Sequence, residues 1–282
     1  MSIAAQKLNE VCDAVQFTVR YYVKNLMTGE ELTRGAGEET PSASTRKTSI
    51  MMAALKAIHD GRLNADEPIV YEKRLSEQVA SGVFRYMTPG IVISLRDAIV
   101  GMMVLSDNVC TKMVLERLTL EEVDLYCKTI GLEGTHHRFL IPPLALSPDH
   151  KLSEVTTTTA ADQGQLLQMI LAAQDSEEAA RNLGCSVDLC RFAMQTLKNQ
   201  VLRYGIRSRL PFDAVVASKS GRGKRGRMDA GLVFRDGAPF YILTAFTDDV
   251  PQEMPDGTPG YTISLETIGR LARVCWDELR AK

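Results

Sequence analysis

Strand-forming sequence lies only near the two ends of this chain, and the stretch from about residue 44 to Asn199 between them carries helical periodicity. At the start, Val15–Asn25 is rich in Val, Phe, Tyr and Thr. Met27-Thr28-Gly29-Glu30 is a turn signal, and Glu31–Gly35 reads as the returning strand. At the end, Ala214–Ser218, Asp229–Arg235 and Pro239–Phe246 carry β-branched and aromatic residues, with Asp236-Gly237 as a hairpin turn between the last two. The simplest way to pair strands so far apart in sequence is one antiparallel sheet built from both ends, with a helical subdomain inserted. The expected fold class is therefore α+β. The sheet would be flanked by an N-terminal helix (Ala4–Ala14) and a C-terminal one (Leu265–Leu279). Residues 1–40 and 200–282 would form the sheet subdomain, residues 41–199 the helical one, and the active site would lie between them.

The insert reads helical because apolar residues recur at i, i+3 and i+4 spacing. After Pro41-Ser42-Ala43-Ser44 the pattern Ile50, Met51, Ala54, Leu55, Ile58 marks a helix that Gly61 ends. Similar patterns cover Leu95–Leu105, Val109–Leu118, Leu120–Ile130, Ala160–Ala173 and Ser186–Lys198.

Bulk properties narrow the partners. The chain has 282 residues, 45% of them hydrophobic, enough for a large core. A formal charge of −2 gives no footing for nucleic acid. The longest apolar stretch, Ile91–Val104, is broken by Arg96 and Asp97, so no membrane span is expected. The first residues hold no apolar signal region, and Glu10 and Asp13 come early. A cytoplasmic location is expected, the mature form of an exported protein being the alternative. The six cysteines (Cys12, Cys110, Cys127, Cys185, Cys190 and Cys275) show no CxxC or Cys/His spacing, so we expect reduced thiols and no structural zinc.

Three short motifs carry chemistry. Ser44-Thr45-Arg46-Lys47 puts a hydroxyl and an amine on one face of a helix start, where unpaired backbone N–H groups favour developing negative charge. A lysine with a lowered pKa can take the serine proton there. An N-cap serine followed by a surface lysine is the plainer reading. Ser106-Asp107-Asn108 sits between two helical patterns; it is either a capping cluster or a proton relay with a substrate-holding amide. Lys219-Ser220-Gly221 follows the apolar strand Ala214–Ser218, and Gly221 and Gly223 would let a substrate approach the strand edge. With Arg222, Lys224, Arg225 and Arg227 the stretch is strongly cationic: an anion site or a solvated basic loop.

In this order the three motifs resemble the Ser-x-x-Lys, Ser-Asp-Asn and Lys-Thr-Gly set of class A β-lactamases and penicillin-binding proteins, here with Ser220 in place of threonine. The likeness extends over nearly the whole chain and includes Thr156-Thr157-Thr158, which resembles the close of that family's Ω-loop, and Arg225-Gly226. It implies an acyl-enzyme mechanism. Ser44 would be the nucleophile and Lys47 the acylation base. Ser106 would pass a proton to the leaving nitrogen, and Asn108 would hold the substrate's side-chain amide. Lys219 would add positive potential, and Ser220 would bond a carboxylate. Backbone N–H groups of Ser44 and Arg222, past Gly221, would form the oxyanion hole. No cofactor is needed. The implied substrate is a small amide, lactam or ester, and the basic turn hints at a carboxylate on it. The oligomeric state is left open.

One stretch departs from the resemblance. The family places a glutamate in the Ω-loop to activate the deacylating water, and the matching stretch here, Thr135 to Leu144, puts Ile141 about there. Deacylation is then either slow or served by another group: Asp149, His150, Glu154, His136 or His137, or Lys47 acting twice. Efficient lactam hydrolysis with a substitute base is one alternative. A non-catalytic protein recognising an anionic ligand through Arg222–Arg227 is the other.

Overall fold

A computed structural model describes residues 2–279 of the chain. In chain order the elements are α1 (Ile3–Asp13), β1 (Thr18–Asn25), β2 (Glu31–Arg34), β3 (Thr40–Pro41), α2 (Lys47–His59), β4 (Pro68–Val70), β5 (Val92–Ser94) and α3 (Leu95–Val104). Then come α4 (Asn108–Leu115), α5 (Leu120–Thr129), β6 (Thr157–Thr158), α6 (Ala160–Ala172), α7 (Glu177–Asn182) and α8 (Val187–Lys198). The last four are β7 (Val215–Arg222), β8 (Arg227–Arg235), β9 (Ala238–Asp248) and α9 (Gly260–Glu278).

The α+β expectation holds. One antiparallel sheet runs in the order β2-β1-β9-β8-β7, so the N-terminal hairpin joins the C-terminal strands through β1 and β9. Asp236 and Gly237 both have positive φ, as a tight hairpin turn requires. The sheet is covered on both faces. In β1, Val19, Tyr21 and Val23 face a core shared with α1 and α9, while Tyr22 faces the helical side. In β8, Met228, Ala230, Leu232 and Phe234 face the helices and Val233 the terminal pair. A strand buried on both sides loses the in–out alternation, which is why β8 reads as one apolar run. Truncating fully buried Leu232 to Ala should cost about 2–5 kcal/mol. Helix α6 crosses close to the sheet at Gly164, where a Cβ would lie 2.4 Å from the Tyr22 ring.

Three local details differ from the sequence reading. Lys219-Ser220-Gly221 does not follow a strand; it lies inside β7, which continues to Arg222. The helical stretch also contains the paired strands β4 and β5, three residues each. Strand β3 pairs with β6 and ties the segment before Ser44 to the end of the loop at 136–156. Among the described residues no helix is long and apolar enough to cross a membrane.

Candidate active site

Ser44 sits in a single 3₁₀ turn, Ala43–Arg46, and the α-helix proper begins at Lys47. The residue before the serine, Ala43, holds φ at +42°, a left-handed conformation that costs an alanine energy and persists only where its surroundings enforce it. Strand β7 packs against it. A Cβ on Gly221 would stand 3.1 Å from the Ala43 Cβ and 2.6 Å from Met228 Cγ, so glycine lets β7 lie close against the serine turn.

Behind that turn the amines converge. Lys47 is 1% exposed, and its Nζ donates to Ser106 O at 2.8 Å and to Asn108 Oδ1 at 2.7 Å, with Ser106 Oγ at 3.3 Å. Lys219, fully buried, donates to Ser106 Oγ at 3.0 Å and to Ser220 O at 2.8 Å. The hydroxyl of Ser106 therefore stands between two lysines that are 172 residues apart in sequence. Burial, then the charge of Lys219, then that of Arg46 hold Lys47 well below the ordinary lysine range. Burial lowers Lys219 to about 7, against the opposing pull of Asp229. A neutral Lys47 amine has two N–H bonds, which match its two short contacts and leave a lone pair.

The middle motif divides its labour. Ser106 adopts φ +55°. Asp107 is not a site residue but an anchor. One of its oxygens caps α4 by accepting from Val109 N (2.8 Å) and Cys110 N (3.1 Å). The other accepts from Phe84 N at 2.9 Å. Gly82 has to be glycine, since its Cβ would fall 2.5 Å from that carboxylate. The cap fixes Asn108 as the first helical residue, where it also takes Ser81 O through its backbone N–H.

Ser44, Ser106, Asn108, Ser220 and Arg222 all line one cavity of about 440 Å³. Lys47 and Lys219 lie behind its wall, and Gly221 packs in β7 between Ala43 and Met228. The structure thus gathers every motif residue named from sequence. The opposite wall is the loop: Phe139, Pro142, Pro143, Leu144, Leu146, His150, Val155 and Thr156. Among the described residues lining this cavity there is no Asp or Glu. Ile141 does not line it; the next three residues do.

Of the five substitute bases, only His150 is in the wall. His137 is buried beneath the loop, its Nε2 2.9 Å from Ser49 Oγ, and burial and Arg46 push its pKa down to about 3. His136 pairs through its backbone with Thr157. Asp149 is exposed and close to Ser147, and Glu154 caps Lys151 N at 2.7 Å. Buried Arg46 ties the serine turn to the loop, donating to the carbonyls of Phe139 and Leu140 and to Thr156 Oγ1 at 3.2 Å.

The basic loop needs correcting as well. Arg225 is neutralised, bonded to Asp248 at 2.7 and 3.0 Å and to Asp249 at 2.7 Å. Arg227 donates to the carbonyls of Gly223 and Gly226 and lies over the Tyr261 ring. Exposed Arg222 and Lys224 are left at the cavity rim. Sequence reasoning missed Tyr204, which lines the cavity with its hydroxyl 3.4 Å from Ser220 Oγ. No local pattern around it marks a site.

The architecture is similar to solved β-lactamases. One from Chitinophaga pinensis superposes with a TM-score of 0.82 at 20% identity, covering 97% of this chain and 98% of that one. One from Sphaerobacter thermophilus gives 0.81 at 18% identity, covering 98% and 96%. PBP-A gives 0.77 at 23% identity, covering 96% and 94%. At these identities the likeness is one of fold. Among curated protein sequences nothing matches. A family model, that of the beta-lactamase enzyme family, matches residues 3–279, and the chain belongs to that family of serine hydrolases acting on carbon–nitrogen bonds.

Proposed function

We propose that this protein opens a lactam or related amide through a Ser44 acyl-enzyme that forms readily and breaks down slowly. The Lys47–Ser106–Lys219 bridge behind the nucleophile's turn carries this reading. Ser44 Oγ attacks the carbonyl carbon, and its proton passes to the free lone pair of Lys47. The backbone N–H groups of Ser44 and Arg222 take the oxyanion. As the tetrahedral adduct collapses, the carbon–nitrogen bond breaks and the nitrogen takes the proton of Ser106 Oγ, which draws one from the lysines on either side. Losing one oxyanion donor typically costs about 10²–10³ in rate, so the strained Ala43 turn that orients Ser44 has a function to maintain.

Slow breakdown is supported by the far wall. A deacylating water needs a base within reach, and the loop offers Pro142, Pro143 and Leu144 to the cavity. A variant of PBP-A has been captured as an acyl-enzyme with penicillin G, which makes that compound a fitting probe here. Intact-protein mass spectrometry with penicillin G and turnover of nitrocefin test the reading. We expect a Ser44 adduct that persists and a single stoichiometric burst. An unlabelled Ser44 across lactams and activated esters removes the acyl-enzyme, and fast repeated turnover removes its slow breakdown.

A further inference from the structure

The turn at 204–206 lies outside the three motifs, yet one wall of the cavity depends on it. Tyr204 lines the cavity, and its hydroxyl stands 3.4 Å from Ser220 Oγ. A good O–H···O bond is about 2.7–2.8 Å, so the pair is poorly bonded to itself. Two hydroxyls at that spacing suit another use: each can donate to one oxygen of a single carboxylate.

The turn that carries the tyrosine is bonded to a buried acid on β8. Asp229 pairs directly across from Ser220 in the β7–β8 register and so shares its face of the sheet. It is 1% exposed, and its Oδ2 accepts from Ile206 N at 3.0 Å. Gly205, at φ +68°, has no room for a Cβ, which would lie 2.7 Å from that same oxygen. The turn is thus clamped on the carboxylate at both residues that follow Tyr204. The other oxygen, Oδ1, is buried without a partner, an expensive placement for a purely decorative acid.

We propose that Tyr204 is a further substrate-binding residue, joining Ser220 to take a substrate carboxylate, and that Asp229 is the positioning residue that holds it there. This deepens the reading of the Ser44 site and rests on it for the identity of the substrate. The acid acts through geometry. Burial already pushes its pKa up to about 7, and an asparagine, which can accept from the same N–H, keeps the clamp.

The test measures binding in a Ser44→Ala background, where no covalent step intervenes. Calorimetry compares penicillin G with its methyl ester, and the ratio of the two affinities reads the carboxylate contact. Tyr204→Phe should lower that ratio about fivefold, the worth of one ordinary hydrogen bond. Asp229→Ala should lower it as much, and adding it to Tyr204→Phe should lower it no further, while Asp229→Asn should retain it. If Asp229→Ala fails to fold, Gly205→Ala displaces the same turn and should give the same loss. The proposal is overturned if Tyr204→Phe leaves the ratio unchanged. Losses that multiply in the double variant, or Gly205→Ala with a wild-type ratio, overturn the positioning role of Asp229. Labelling of wild-type Ser44 is scored separately. An unlabelled Ser44 with the ratio behaving as described removes the acyl-enzyme and leaves this inference standing. A labelled Ser44 with an indifferent ratio does the reverse.

Discussion

The two walls of the cavity are built on opposite principles. The wall made by α2, α4 and β7 is polar, buried and hydrogen-bonded through, with Ser106 Oγ shared by two lysines at 3.3 and 3.0 Å. The wall made by the loop at 139–156 is largely apolar, and its exposed Pro142, Pro143 and Leu144 offer the site no titratable group. On the proposed reading, the first wall serves bond breaking and the second offers little to activate water. Different chain segments build the two walls, so the contrast makes the two half-reactions separately testable.

Removing Lys47, the proposed base, should have the largest effect. Lys47→Met keeps the bulk and deletes the amine, and acylation of Ser44 by penicillin G should fall by about 10³-fold or more, read as the second-order rate of adduct formation. Ser106→Ala, which removes the bridging hydroxyl but neither amine, should cost less. A Lys47→Met protein that acylates at the wild-type rate would end the account of this wall.

The next experiment gives the loop wall what it lacks. Leu144→Glu puts a carboxylate into the cavity lining. The adduct's lifetime should shorten at least tenfold, toward the roughly 10²–10⁴ that a positioned base can supply. Acylation should barely change. If both rates move together, the walls are not independent and the comparison fails.

These walls were unequally legible in the sequence. The hydroxyls and amines of the three motifs were legible, because such groups in three ordered motifs identify themselves. The extent of β7 was not legible. Lys219, Ser220 and Gly221 are polar or small, so they read as a turn although all three are buried, the Lys219 and Ser220 side chains at the site. The basic loop misled for another reason. Arg225 is neutralised by Asp248 and Asp249, which lie 23 and 24 positions further on, and no local pattern shows a partner that β9 brings back. Tyr204 was missed because it belongs to no motif, and the turn that carries it is bonded to Asp229, a residue that β8 brings in from further along the chain. The sheet itself was readable, since β-branched and aromatic runs survive even where both faces are buried.

A pH series sharpens the polar wall. Lys219 is held at about 7, below its ordinary 10.5. Its ammonium is therefore present below about pH 7 and lost as pH rises through that value. The preference for penicillin G over its methyl ester should be fully developed near pH 6 and decline across pH 7–8, by a few-fold. Lys219→Arg, which cannot titrate there, should keep the preference throughout. A decline that survives in Lys219→Arg would assign the charge to some other group.

The smallest effect is expected at His150, the one imidazole in the apolar wall and so the obvious rival to slow breakdown. Its Nδ1 lies 2.7 Å from Ser147 O, which places the proton on that nitrogen because the carbonyl can only accept. The lone pair is then on Nε2, and Nε2 is buried without a partner. A base must touch the water it activates, and this nitrogen is sealed from solvent; its surroundings are those of a packing residue whose backbone carbonyl Arg225 holds at 2.8 Å. His150→Leu should therefore leave the adduct lifetime within twofold of wild type and stability unchanged or slightly higher, since it removes a buried unpaired acceptor. A tenfold longer lifetime in that variant would mean the loop opens far enough to admit water to Nε2, and the apolar wall would then have a base of its own.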